Sequence, residues 1–204
     1  DPGFPRDAAA WCNSTGNQLI SKETAGGKSV VVIEKGEPKS CNIVTSCEGK
    51  GKTFIMFSDD LDKALATFVL ANGAAATGQK VTIFFTFWGL NVIKKLHKPN
   101  VEKDIFGKMF GMMLPSSSRK LKLSKMSMGG IGGKMMRYIM NRKGIDSLES
   151  FRQQALENGV EFIACQMSMD VMGVKQEELL DEVTIGGVAT YMERADNANI
   201  NLFI

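Results

Sequence analysis

The sequence lacks several features that would place the protein in familiar functional classes. No uninterrupted apolar run reaches the roughly 20 residues that a membrane-spanning helix needs, so none is expected. His97 is the only histidine, and there is no C-x-x-C pair, so the usual four-ligand zinc sites cannot be assembled and we expect no metal. The composition, 44% hydrophobic and 23% charged, is typical of a soluble globular protein with a substantial core.

Glycine is frequent, but its spacing does not match a nucleotide-binding loop. The run over residues 129–133 would need Gly at 128 and Ser or Thr at 135 to form a Walker loop. Met128 and Met135 stand there instead, and Met135 also occupies the last glycine position of a G-x-G-x-x-G pattern. We therefore expect no cofactor.

Cysteine is scarce and irregularly spaced. The four cysteines, Cys12, Cys41, Cys47 and Cys165, do not form a disulfide framework, which favours a reducing compartment and a cytoplasmic location. Cys41 and Cys47 fall in residues 36–51, whose Gly, Pro, Ser and Lys content predicts a linker. Cys12 falls in a predicted helix and is expected to pack.

Two structural regions flank this linker. Residues 1–35 predict a small α+β fragment, a helix followed by a hairpin whose turn is Ala25-Gly26-Gly27. Residues 52–204 alternate apolar strands, at about 53–57, 80–86, 160–164, 182–185 and 201–204, with helices such as 61–77 and 148–158. That order predicts an α/β fold, a three-layer α/β/α sandwich around a mainly parallel five-stranded sheet.

Cys165 is the main candidate for chemistry. It ends a short apolar run and a segment with helix-start character follows at once, which predicts a thiol at the carboxyl end of a buried strand. The positive end of the following helix favours the thiolate, the reactive form, so we expect a reachable nucleophile that carries a group. The alternative is that Cys165 only packs, as most free cysteines do.

Polar and aromatic residues follow two other predicted strands and should reach the same edge of the sheet. Asp59 and Asp60 could bind a ligand, or could cap the helix that follows them. Trp88 could be a ligand platform or a core residue. The candidate substrate-binding residues are Asp59, Asp60, Trp88, Gly89, Met167 and Ser168.

Residues 96–143 do not fit a minimal parallel sheet and predict an insertion. They hold eight of the thirteen methionines, and between residues 105 and 145 there are nine basic residues and no acid. Glycines and methionines suggest a segment that rearranges. Its basic apolar surface could lie on an anionic membrane, form a partner or subunit interface, or be a lid with a solvated basic face. Nucleic acid is not expected, because few aromatic residues accompany the charges.

The chain resembles known families in two places. The segments Phe57-Ser58-Asp59-Asp60, Thr86-Phe87-Trp88-Gly89, the methionine-rich insertion, Ala164-Cys165-Gln166-Met167-Ser168-Met169 and Ile185-Gly186-Gly187 closely resemble DsrE-like proteins of the DsrE/DsrF/DsrH superfamily. Residues 1–35 resemble the second half of a TusA-like sulfur-carrier domain, on the segments 1–7, Trp11-Cys12 and Thr15-Gly16-Asn17, without its Cys-Pro-x-Pro motif. The order is similar to the end of fusions that join a CoA-disulfide reductase-like module, a rhodanese and these two domains.

The resemblance implies intracellular sulfur relay. Cys165 would carry persulfide sulfur as a sulfur carrier or sulfurtransferase, without metal or nucleotide. Its partners would be a persulfide donor and a thiol acceptor, either proteins or small thiols, and the protein would form a homo-oligomer. The alternative function is a noncatalytic module that binds a membrane surface or a partner through the basic insertion, which would place the protein peripherally at the membrane.

Overall fold

Alternating strands and helices, as the sequence predicts, form the framework of the computed structural model. The structure describes Cys12 and residues 17–25, 28–34, 51–97, 99, 101, 103 and 105–204. Lys28, Ile105, Phe106, Lys108 and Phe110 are described by their backbone alone. The chain forms two units, Asp1–Ser46 and Cys47–Ile204.

The first unit contains the predicted hairpin. Strands β1 (Gln18–Ala25) and β2 (Lys28–Glu34) pair antiparallel, with an irregularity between Leu19 and Ser21. The helix predicted before it lies outside the described residues except for Cys12, which is helical and buried. Cys41, Cys47 and all of the predicted linker except Gly51 also lie outside them.

The second unit contains a five-stranded sheet in which every pairing is parallel. Its strands are β3 (Gly51–Met56), β4 (Val81–Phe85), β5 (Glu161–Cys165), β6 (Thr184–Gly186) and β7 (Ala198–Phe203), in the order β6-β5-β4-β3-β7. β4 is buried along its whole length, as its uninterrupted apolar sequence predicts for a strand covered on both faces. The predicted fold class is confirmed.

Six α-helices of this unit lie within the described residues. They are α1 (Leu61–Ala76), α2 (Ile105–Met113), α3 (Ile131–Arg142), α4 (Leu148–Glu157), α5 (Gln166–Met172) and α6 (Val188–Asp196). 3₁₀ segments occur at Phe87–Ile93, Ser118–Lys120, Met128–Gly130 and Gln176–Glu178.

The sequence predicts that Leu65, Phe68, Val69 and Ala76 form one face of the helix at 61–77, and as the buried face of α1 this prediction is partly wrong. Val69, expected to be buried, is 51% exposed, and Ala76 is exposed as well. The buried positions are Leu61, Ala64, Phe68 and Ala71 together with Thr67, so the stripe lies about one residue away from the predicted one.

The two faces of the sheet are covered unequally. On one face, α1 and α4 enclose the main core, where the ring of Phe68 lies 6.4 Å from Phe85 and 5.7 Å from Phe162. On the other face, α6 covers a small cluster of Phe84, Ile163, Cys165 and Tyr191. The nine-residue α6 is therefore the main cover of one whole layer in the described part of the unit.

Phe68→Ala should lower the free energy of unfolding by about 3–5 kcal/mol, because it removes a fully buried aromatic ring of α1 that packs on Phe85 of β4 and Phe162 of β5. Urea denaturation followed by circular dichroism measures the change. Val69→Ala on the same helix is the matched control, and should change the free energy of unfolding by less than about 0.5 kcal/mol because Val69 is exposed. Equal losses for the two variants would contradict the described orientation of α1.

Candidate functional site

The carboxyl ends of β3, β4 and β5 lie side by side, as predicted. The three strands are adjacent and parallel, so Met56, Phe85 and Cys165 finish at one edge of the sheet. The segments that follow them carry the sequence-predicted site residues. The predicted residues therefore share one edge of the sheet, but their side chains point to different sides of it.

Cys165 has the predicted position but not the predicted exposure. It is the last residue of β5 and occupies the N-cap position of α5, yet only 2% of it is exposed. It belongs to the cluster of Phe84, Ile163 and Tyr191 under α6. Since neighbouring residues of a strand point to opposite faces, Ala164 enters the main core and Cys165 turns to the other side. The expectation of a reachable thiol at the rim is wrong for the chain in this conformation.

Tyr191 of α6 is a residue that the sequence analysis missed. Its ring lies 5.2 Å from that of Phe84, and its hydroxyl lies 3.3 Å from Thr53 Oγ1 in β3. These contacts hold α6 over the cluster that contains the thiol. The aromatic residue in the last predicted helix was the available signal, but its partner across the sheet could not be identified from spacing.

A cavity of about 380 Å³ lies beside α5, close to Cys165 along the chain. Gln166, Met169 and Ile185 contribute to its lining. Ile185 is next in sequence to Gly186, which pairs with Cys165 between β6 and β5. Cys165 itself does not line this cavity. The cavity is thus close to Cys165 along the chain, but the thiol does not face it.

A larger cavity brings together three of the predicted binding residues. It measures about 660 Å³ and lies between the strand-end loops and the insertion. Asp59, Asp60 and Trp88 line it on the sheet side; Gly111, Met112, Met113, Leu114, Pro115, Ser116, Lys120, Lys122, Leu123 and Ser127 complete the lining. Cys165 does not line this cavity either, so the candidate thiol and the acidic residues belong to separate places.

Asp59 is an acid of this cavity whose environment alters its pKa. Burial raises the pKa of its carboxyl group above the ordinary value; the neighbouring charge of Asp60 adds to the increase, and a hydrogen bond from Asn91 opposes it. Asn91 Nδ2 donates to Asp59 Oδ2 at 2.9 Å, and Asn91 Oδ1 is buried with no partner among the described residues. This pair can therefore hold a proton or accept a hydrogen-bond donor from a ligand.

Asp60 lies at the N-cap position of α1, but its side chain does not cap the helix. Its carboxylate accepts a hydrogen bond from Ser58 Oγ at 2.7 Å and pairs with Lys63 Nζ at 3.0 Å. The backbone N–H of Leu61 donates instead to the carbonyl of Lys122 in the insertion, at 2.7 Å. The prediction that the Asp60 side chain caps the helix is thus wrong. A carbonyl group of the insertion accepts the hydrogen bond from the first backbone N–H of α1 instead.

Gly89 and Ser168 make contacts that hold the edge together. A Cβ on Gly89 would lie 1.9 Å from the carbonyl oxygen of Met56, so only glycine fits there. Ser168 is fully buried, and its hydroxyl lies 2.8 Å from Thr86 Oγ1. Each has a structural reason for its identity, and a further role in binding substrate stays a prediction.

The remaining predicted binding residues, Trp88 and Met167, are accessible. Trp88 is 42% exposed at the cavity and Met167 is 55% exposed on α5. Within the part of the chain that the structure describes, no three His, Cys, Asp or Glu side chains are grouped so as to hold a metal ion.

Comparisons with known proteins identify relatives of the second unit. The model of the DsrE/DsrF/DrsH-like family matches residues 49–203. YrkE of Bacillus subtilis (strain 168), described as uncharacterized, is 43% identical over 155 residues, which are 76% of this chain and 97% of that protein. The sulfur carrier protein DsrE2 of Allochromatium vinosum is 38% identical over 161 residues, which are 77% of this chain and 99% of that protein. The crystal structure of YchN from E. coli matches with a TM-score of 0.45 at 11% identity, over 76% of this chain and 99% of that one.

Asp59→Asn should raise the free energy of unfolding at pH 7. The pKa of Asp59 is raised in the folded protein, so its ionisation costs stability as the pH rises through that pKa. The amide cannot ionise and still accepts the hydrogen bond from Asn91. The gain should disappear below about pH 3.8, the ordinary value, where the carboxyl group is neutral in both states. Urea denaturation at a series of pH values measures it.

Asp62→Asn is the control of opposite sign. Burial alone would raise the pKa of Asp62, but two hydrogen bonds from Ser124 outweigh it and lower the pKa. Its stabilising effect is present above the ordinary pKa and is lost as the pH falls through the folded pKa, so the variant should be less stable at pH 7. A loss at pH 7 for Asp59→Asn as well would contradict the assignment of Asp59.

Proposed function

We propose that this chain, which belongs to the DsrE/DsrF/DrsH-like family, is a sulfur carrier that holds persulfide sulfur on Cys165. The observation that carries the proposal is that Cys165 is the only cysteine within residues 49–203, the region that matches the family. A relative that covers this region is a sulfur carrier protein. A carrier of this kind needs one thiol that can form and release a sulfur–sulfur bond.

The proposed reaction is an exchange at sulfur that needs no external oxidant or reductant. The Cys165 thiolate attacks the outer sulfur of a donor persulfide; a new sulfur–sulfur bond forms, the donor's own sulfur–sulfur bond breaks, and the donor thiolate leaves. An acceptor thiolate then attacks the outer sulfur on Cys165 and regenerates the Cys165 thiolate. The donor and the acceptor are persulfides and thiols, carried by proteins or by small molecules.

Burial of Cys165 adds a step to this proposal. The thiol lies under Tyr191, so a donor reaches it only after α6 moves away from the sheet. That movement is favoured over opening the main core, because α6 has nine residues and covers a small cluster. Elements with few buried apolar contacts open at the lowest free energy. The donor would thus meet a thiol that is protected from solvent between transfers.

Two further features of the proposal come from the resemblances. Copies of the chain would associate into a homo-oligomer, as the resemblance to the family implies. Residues 1–35 would be part of a TusA-like domain, joined by a linker to the sulfur carrier.

Incubation with glutathione persulfide should add the mass of one sulfur atom to the peptide that contains Cys165. The adduct should disappear when a thiol acceptor is added, and the acceptor should gain the sulfur. Peptide mass spectrometry locates the added mass among the four cysteines, and Cys165→Ser is the control. Sulfur found equally on the Cys165→Ser protein, or on the other cysteines alone, would refute the proposal.

Tyr191→Ala should increase the rate at which iodoacetamide alkylates Cys165 by about tenfold or more. Each ~1.4 kcal/mol removed from the free energy of opening is a factor of ten, and the lost ring contacts exceed that amount. Tyr191→Phe keeps the ring and should stay close to wild type. Circular dichroism checks that both variants are folded. Equal alkylation rates in the wild type and both variants would show that α6 does not control access.

A further inference from the structure

Helix α3 is attached to the protein through its glycines. A Cβ on Gly132 would lie 2.1 Å from the carbonyl oxygen of Met126, and one on Gly133 would lie 3.1 Å from that of Leu121. Both glycines are buried, together with Met140 near the other end of the helix. The side of α3 with the smallest residues therefore faces the body of the protein.

The apolar side of α3 consequently faces outward. Ile131 is 64% exposed, Tyr138 65%, Met135 47% and Ile139 39%. Their spacing of four, seven and eight residues from Ile131 is that of a stripe, which surface helices normally turn towards the core. An apolar stripe that faces solvent instead marks a surface to which a partner binds.

Neighbouring methionines extend this stripe into a larger patch. Met112 and Met113 line one cavity with Leu123 and Ser127, which places the end of α2 beside the segment that leads to α3. We define the methionine-rich surface as Met109, Met112, Met113, Met126, Met128, Ile131, Met135, Tyr138 and Ile139, all of them exposed.

Basic side chains accompany the methionine-rich surface without matching acids. The exposed ones are Arg119, Lys120, Lys122, Lys125, Lys134, Arg142 and Lys143, and none of them pairs with a carboxylate among the described residues. The nearby acids already have partners. Glu149 pairs with Arg137, and Asp62 accepts from Ser124. Asp59 and Asp60 line the adjoining cavity, where Asp59 accepts from Asn91 and Asp60 pairs with Lys63. The patch is therefore both apolar and positively charged.

We propose that the methionine-rich surface binds the interface of an anionic lipid bilayer. Flexible methionines and a tyrosine suit the boundary between headgroups and acyl chains, and the lysines and arginines suit acidic headgroups. None of the described helices is long and apolar enough to cross a bilayer, so the protein would lie on the surface. A second copy fits less well, because symmetric pairing would bring the same positive charges together.

Flotation with lipid vesicles tests the proposal on the full chain. The protein should float with phosphatidylcholine vesicles that contain phosphatidylserine, and should float much less with phosphatidylcholine alone. Raising the salt concentration should weaken binding, because it screens the charges. Equal binding to neutral and anionic vesicles, or binding to neither, would overturn the proposal.

Paired variants locate the surface. Lys134→Glu should lower the apparent affinity for anionic vesicles by about tenfold, since it removes one cationic charge and adds a repulsive one. Lys80→Glu makes the same charge change at the amino end of β4, outside the patch, and should have little effect. Equal losses for these two variants would show that only net charge matters, and would overturn the assigned surface.

Tyr138→Ser tests the apolar part in the same assay. It should weaken vesicle binding at constant charge, whereas Val69→Ser, which removes another half-exposed apolar side chain, should not. Sedimentation velocity of the same variants checks the competing occupant. A change in self-association for Tyr138→Ser without a change in vesicle binding would identify a second copy, and would refute the lipid interface.

Discussion

The alternation of side chains along the parallel strands decides what each residue at the carboxyl edge can do. In β5, Phe162 and Ala164 enter the core under α1 and α4, whereas Ile163 and Cys165 face α6. A shift of one residue would move Cys165 into the main core. Position at the edge and orientation towards a ligand are therefore separate properties. In this protein the thiol and the acidic cavity do not coincide.

Unequal cover gives the two layers different mechanical properties. The core between the sheet and α1 and α4 contains interlocked aromatic rings, and buried Arg152 donates hydrogen bonds to the carbonyls of Val92 and Lys94. Opening this side would expose many apolar groups to water and break the hydrogen bonds that Arg152 donates. Moving α6 would expose far fewer apolar groups, because the cluster under it is small. The proposed sulfur transfer therefore depends on a sheet that stays packed against α1 and α4 while α6 moves away from its other face.

The sequence predicts the architecture well, because apolar runs and the chemistry of helix ends are local signals. β3 begins two residues earlier than predicted, at Gly51, and α1 ends one residue earlier, at Ala76. Burial of Cys165 was not predictable, because it depends on Tyr191 of a later helix. The environment of Asp59 likewise depends on Asn91, 32 residues away. Contacts between elements, which carry no local pattern, account for most of what was missed.

The insertion was expected to rearrange, and this stays a prediction; in the described conformation several of its residues are attached to neighbouring backbone and side chains. Gly132 and Gly133 lie against the backbone of the preceding loop, and Lys103 Nζ forms a buried ion pair with Glu178 Oε2 at 2.5 Å. A surface held in this way does not lose much conformational entropy when it binds, so modest apolar and charge contacts suffice. The thiol under α6 is the opposite case, since each transfer must first open the cover. The proposed binding of the methionine-rich surface to a bilayer needs no such opening. It would therefore keep the protein at the membrane between successive sulfur transfers.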